Sequence, residues 1–184
     1  MNSKKKQVWL ETGYQLVAEK GFENLNIGVL ARTMDKNKSS FYHYYGDWEG
    51  FEEALLAYHL ELAIPFSKKV RDCEDVVPGL INVFLEHKTD LFFHKQLRIN
   101  RSKPHIKRCY QLAYDQFVEA VHDQWVAFLG LERQSFLAIK FLDLIIDNLL
   151  LQINNEHYNY NWLHEYIIGH AKFLSDIKAS AKEN

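Results

Sequence analysis

Residues 18–45, AEKGFENLNIGVLARTMDKNKSSFYHYY, decide the fold, because a short turn-rich interruption joins two amphipathic segments. In the first, Ile27, Leu30, Ala31 and Met34 recur at i, i+3, i+4 and i+7, the spacing of one helix face. Asp35-Lys36-Asn37 breaks that helix, and Asn37 is a good N-cap for a second. Phe41 and Tyr45, four apart, then point into a core and leave Lys38, Ser39, Ser40, Tyr42 and His43 outside. Cation, hydroxyl, phenol and imidazole on one exposed face are groups that hydrogen-bond phosphates and base edges. The pattern reads as a helix-turn-helix.

Outward from this stretch the chain reads as all helical. Helices are expected over 4–20, 27–34, 38–44, 48–63, 75–87, 89–99, 103–129, 131–154 and 160–181. Pro65, Pro78 and Pro104 are expected where helices end or begin. Gly21 should end the first helix and Gly130 separate the seventh from the eighth, while Asp47 and Ser102 cap the fourth and seventh. The expected organisation is a three-helix DNA-binding domain over 1–47, then a larger helical domain over 48–184 that begins with a connecting helix, 48–64.

With 184 residues, 47% of them hydrophobic, the chain can bury a substantial core. Its net charge of −2 is unevenly spread: residues 1–45 carry seven Lys or Arg against four acids, and residues 46–64 carry five acids and no Lys or Arg. Only the first segment is basic, and that suffices for a DNA reader because phosphate attraction decays over about 8 Å at physiological salt. Lys4, Lys5 and Lys6 read either as a frayed terminus or as an arm towards DNA, and the arm is favoured. The richest apolar run, 136–151, contains Lys140, Asp143 and Asp147, so no membrane span is expected. No signal-peptide pattern follows the first residues, and a cytoplasmic location is expected. Cys73 and Cys109 are too few for a disulfide framework or zinc cluster, and no metal or other cofactor is expected.

Between Phe136 and Leu151, twelve of sixteen residues are apolar, which buries a helix on more than one side. The last helix is similar, with Trp162, Leu163, Tyr166, Ile167, Phe173, Leu174 and Ile177. A second copy of the chain is the economical cover, so Leu142, Ile146, Leu149, Leu163, Ile167 and Leu174 are expected at a homodimer interface. A well-filled monomer core is the alternative. Residues 94–108, HKQLRINRSKPHIKR, hold six Lys or Arg and no acid. They read first as a solvated loop face, then as a partner for the acidic residues Glu49, Glu52, Glu53 and Glu61, and last as a site for an anion.

The residues also carry a resemblance. Trp9-Leu10-Glu11, Leu16, Ala18 to Phe22, Ile27, Leu30-Ala31 and Lys38-Ser39-Ser40-Phe41-Tyr42-His43-Tyr44-Tyr45 resemble, without a gap, the N-terminal signature of tetracycline-repressor-like (TetR-type) transcriptional regulators. It covers about a quarter of the chain. Asp35, Lys36 and Trp48 stand where the family usually has a glycine, a small apolar residue and a lysine. The resemblance implies a homodimer with a four-helix interface, and a small-molecule effector cavity for which Phe84, Phe92, Tyr110, Tyr114, Phe117, Trp125 and Phe141 are candidates. An aromatic stripe at helical period is also what a filled core looks like.

Enzyme signatures are missing: there is no Gly-rich phosphate loop, nucleophile elbow, His-Glu-x-x-His or Cys-x-x-Cys. The favoured reading is a ligand-responsive, homodimeric DNA-binding regulator, a repressor, on a near-palindromic duplex operator. The other is a dimeric helical ligand-binding or interaction protein of the same fold without tight DNA recognition. For the first, Lys38, Ser39 and Tyr42 are the base-edge candidates. Asn26, Asn37, Ser40, His43 and Tyr44 are the phosphate candidates.

Overall fold

Three side-chain caps set the phase of the N-terminal helices. Asn26 Oδ1 accepts from the Val29 amide at 3.0 Å, Asn37 Oδ1 from the Ser39 amide at 3.0 Å, and Asp47 Oδ1 from the Gly50 amide at 2.8 Å. Each occupies an otherwise orphan amide of a first turn. They open α2 (Ile27–Thr33), α3 (Lys38–Tyr45) and α4 (Trp48–Arg71), which follow α1 (Asn2–Lys20). The computed structural model of the chain describes residues 2–180, which contain no strand. The remaining helices are α5 (Ile81–Glu86), α6 (Lys88–Ile99), α7 (Pro104–Phe128), α8 (Ser135–Gln152) and α9 (Tyr160–Ser180).

Four boundaries differ from expectation. Pro65 does not end a helix; it lies inside α4. Its lost amide is tolerated because Ala63, Ser67 and Val70, on both sides of it, remain buried along the same helix. The expected helix 75–87 is broken near its start: Val77, extended at φ −132° as residues before proline prefer, lies inside a π-type turn (Val76–Leu80) that precedes α5. A 3-10 turn, Glu132–Gln134, precedes α8. Ser102 does not cap α7, since the helix begins at Pro104, where proline's missing amide costs nothing.

The chain forms two compact units, and neither is continuous in sequence. The first combines the residues up to Pro65 with Thr89–Asp115; the second combines Phe66–Lys88 with the residues from Gln116 onward. The unit that holds the helix-turn-helix is therefore larger than the expected 1–47. The reason is a core that α1 cannot complete by itself. Tyr14 of α1 stacks on Phe93 of α6 with centroids 4.1 Å apart, and Phe22 meets the same ring edge-on at 5.6 Å. Gly13 lies so close to α4 that a Cβ there would stand 2.4 Å from Phe51 Cζ.

In the second unit, buried polar tips are matched to backbone carbonyls. Trp125 Nε1 donates to Ala138 O at 2.9 Å, Tyr158 OH to Phe84 O at 2.7 Å and Tyr166 OH to Ile145 O at 2.7 Å. Lys178 Nζ donates to Leu129 O and Gly130 O, placing a cation on the carbonyl end of α7.

Burial corrects the expected dimer residues. Leu142, Ile146, Leu149, Leu163 and Ile167 are buried within their own chain, so they do not present themselves to a second copy; Leu174 is half-buried. The apolar residues left outside are Phe136, Leu137, Leu144 and Leu151 on α8 and Ile168, Phe173 and Ile177 on α9. A helix apolar on all sides carries two stripes of the same period, and periodicity does not say which one fills its own core.

Candidate nucleic-acid interface

The geometry of the helix-turn-helix follows from one buried ring. Phe41 is fully buried on α3, edge-on to Trp9 of α1 at 5.6 Å and to Phe51 of α4 at 5.1 Å. Tyr45, one turn on, tilts against Phe41 at 5.4 Å and meets Phe51 at 4.7 Å, while its hydroxyl donates to Lys6 O at 2.7 Å. With positions 41 and 45 fixed inward, Lys38, Ser39, Tyr42 and His43 emerge on the opposite face, and all four are exposed. Ser40 and Tyr44 are half-buried at its margins. Asn26 and Asn37 are exposed, but each Oδ1 is engaged as a cap; Asn37 Oδ1 also accepts from Ser39 Oγ at 3.1 Å, and Ser40 Oγ donates to Asn37 O at 2.8 Å.

The turn between the helices closes through paired backbone bonds. Lys36 N donates to Ala31 O at 2.9 Å and Asp35 N to Arg32 O at 3.2 Å, with Asp35 in the left-handed region at φ 51°. This is a Schellman closure with aspartate where glycine is the usual solution. It leaves Gly28, Ala31, Arg32, Asp35, Lys36, Asn37 and Lys38 around an open depression of about 520 Å³. Lys38 Nζ folds back towards α2, within 3.6 Å of where a Gly28 Cβ would stand. Arg32, Lys36 and Lys38 thus bring three cations to one notch. Sequence reasoning passed over Arg32 and Lys36; their i, i+4 spacing across the turn was the available signal. Lys4, Lys5 and Lys6 are exposed but belong to the first turns of α1 and form no separate arm. Lys6 Nζ lies 5.3 Å from the Tyr45 ring centroid, which adds a further cation beside the end of α3.

A buried polar chain ties α1 and α4 to α6. Tyr14 OH donates to Asp90 Oδ1 at 3.1 Å and is 2.7 Å from His59 Nδ1, and His59 Nε2 is 3.1 Å from His94 Nδ1. An ionised Asp90 accepts only, so the Tyr14 proton goes to it. His59 then donates from Nδ1 to Tyr14 and accepts at Nε2 from His94. Both imidazoles are buried, and loss of hydration holds both well below their ordinary value, His94 at about 4. They are neutral links between α1, α4 and α6.

The seven effector-pocket candidates are divided between the units. In the first, Tyr110 is stacked under His94 at 4.6 Å and beside Tyr114 at 6.1 Å, and Phe92 is buried on α6. In the second, Phe84 and Phe117 lie 5.9 Å apart and both pack on Phe66, at 6.3 and 6.0 Å. Three rings in mutual contact fill the space among them, so Phe84 and Phe117 do not bound an opening on that side. Trp125 is buried with its indole nitrogen engaged, and Phe141 is half-buried on α8. Among the described residues no group of three or more His, Cys, Asp or Glu is placed to hold a metal ion, and no helix is long and apolar enough to cross a membrane.

A stretch of 50 residues is 40% identical to the HTH-type transcriptional repressor NemR of Escherichia coli, amounting to 27% of this chain and 25% of that repressor. NemR from a second strain of the species matches equally. The chain thus matches about a quarter of the length of these curated relatives. The solved structure of a protein described as a candidate transcriptional regulator from Saccharomonospora viridis, in complex with choline, matches over 95% of both chains with a TM-score of 0.65 and 16% identity. What is shared at that identity is the all-helical fold. No family model matches the chain.

Proposed function

We propose that this chain is a DNA-binding transcriptional regulator of the TetR type, a repressor that acts as a homodimer and responds to a small molecule. The observation that carries the reading is the exposed face Lys38, Ser39, Tyr42 and His43 on a helix locked from behind by Phe41. Two copies of α3, one per subunit, would enter successive major-groove faces of a near-palindromic operator, with half-sites about one helical turn apart or a small multiple of it. Lys38, Ser39 and Tyr42 are assigned to base edges and Asn26, Asn37, Ser40, His43 and Tyr44 to phosphates, with Arg32 and Lys36 added to the phosphate set. The apolar stripe of α8 and α9, with Phe136 and Leu144 as its most exposed members, is assigned to the subunit interface.

For the effector, the Saccharomonospora viridis protein supplies a first class to assay, since it was solved with choline. Aromatic faces attract quaternary ammonium groups by cation–π contact. Tyr110 and Tyr114, stacked with centroids 6.1 Å apart in the first unit, are the candidates kept from the sequence. The deciding experiment is selection of duplexes from a random pool, followed by protection mapping. Lys38→Ala should then relax preference at one position of each half-site and weaken binding by about 1–3 kcal/mol. Failure to enrich any sequence, with binding insensitive to salt, would leave a helical ligand-binding protein without DNA recognition.

A further inference from the structure

The corner where α6 turns into α7 belongs to the same compact unit as α3. Between Asp90 and Asp115 the chain has no acidic residue and six Lys or Arg. Arg101, Lys103, Lys107 and Arg108 are all exposed there. The corner is fixed to the helix that leaves the reader. His105 Nε2 is 2.6 Å from Glu52 Oε1, Lys103 Nζ is 3.8 Å from Glu52 Oε2, and Cys109 Sγ donates to Leu56 O at 3.5 Å. Glu52 stands about one helical turn beyond Trp48, where α4 begins three residues after α3 ends. Its single carboxylate is enclosed by these contacts and offsets only part of the positive charge around it.

We infer that the α6–α7 corner is a second DNA-backbone surface that engages duplex flanking the half-site read by α3. The inference rests on the proposed DNA-binding function. Exposed cations distributed over residues 101–108 suit a polyanion with a charge every 1.7 Å of axis better than one small anion, which would need donors converging on a point. The anchoring at Glu52 and Leu56 makes the corner move with the start of α4, so its reach is fixed relative to that helix.

The test compares the wild type with the triple variant Arg101→Gln, Lys107→Gln, Arg108→Gln on two duplexes. One is trimmed to the sequence the wild type selects from a random pool, and the other is 60 base pairs long with that site at its centre. The surface predicts about tenfold weaker binding of the variant on the long duplex at 0.15 M salt. The slope of log affinity against log salt should fall by about 2–3, with no change on the trimmed one. Equal affinities and slopes on the long duplex, with the wild type binding both, would overturn the second surface alone. Equal losses on both duplexes would also overturn it, by reducing the corner to a general field effect. A wild type that selects no sequence would overturn the DNA-binding reading as well. Unchanged circular dichroism and melting temperature in the triple variant exclude misfolding, since all three side chains are exposed.

Discussion

Acidification should loosen this protein through the His59–His94 pair. His94 titrates at about 4 in the fold against an ordinary 6.5, because burial withholds hydration from its charged form. The depressed value means that the unfolded chain takes up the proton first as pH falls, so stability is level above about pH 7 and declines between 6.5 and 4. From that shift His94 removes about 1.4 kcal/mol at pH 5.5 and about 2.6 kcal/mol at pH 4.5. His59 is shifted in the same direction, by burial first and by His94 second, and steepens the decline. Asp90 is linked to His59 through the Tyr14 hydroxyl rather than by a direct bond to either imidazole among those described above. The assay is urea unfolding followed by tryptophan fluorescence at pH 7.5, 6.5, 5.5 and 4.5, on the wild type and His94→Gln. The variant loses stability at neutral pH but should show a shallower dependence below 6.5, by about 1.3 kcal/mol between 7.5 and 5.5. Parallel curves for the two proteins would refute the picture of a buried neutral pair.

Other predictions follow from packing. Gly13→Ala, which in an ordinary helix would stabilise by about 1 kcal/mol, should instead cost about 1–3 kcal/mol, because its Cβ would stand 2.4 Å from the buried Phe51 ring; thermal melting gives the sign. Asp35→Val should destabilise by about 1–2 kcal/mol, since a β-branched residue resists the left-handed φ of 51°, and Asp35→Gly should not; urea unfolding separates them. Leu144→Glu should weaken self-association at least tenfold, or about 1.4 kcal/mol, while the chain stays folded, because that side chain is 70% exposed. Light scattering across micromolar concentrations measures it, and a wild type monomeric throughout would dispose of the dimer.

The helix-turn-helix was legible because its signals are local. Asn37 capping α3, Asp47 capping α4, Asp35 at the turn and Phe41 facing inward depend on residues a few positions apart, and the structure has each of them. What depended on distant partners was not legible. Leu142 and Leu144 are both apolar on α8, yet one is buried and the other is 70% exposed, a distinction made by which helices pack on α8 rather than by α8 itself. The role of His94 is of this kind, since its partner His59 lies 35 positions away on another helix. Of the acidic residues on the fourth helix, Glu52 meets the basic corner, through His105 and Lys103.

The interleaving of the two units limits how such a protein can be cut and recombined. The backbone leaves the first unit after Pro65, re-enters at Thr89 and leaves again after Asp115, and all three of these passages fall inside helices, α4, α6 and α7. A fragment ending at Pro65 keeps Tyr14, Phe22 and His59 but lacks Phe93, Asp90 and His94, so it carries an uncovered apolar seat and a severed hydrogen-bond chain. Grafting this helix-turn-helix segment onto another protein by a single crossover would therefore yield an unstable chimera, whereas a graft that carries 89–115 along with the first 65 residues keeps the seat filled. Exchange by a single crossover is thus closed to the first 65 residues, and only a two-piece exchange carries their core intact.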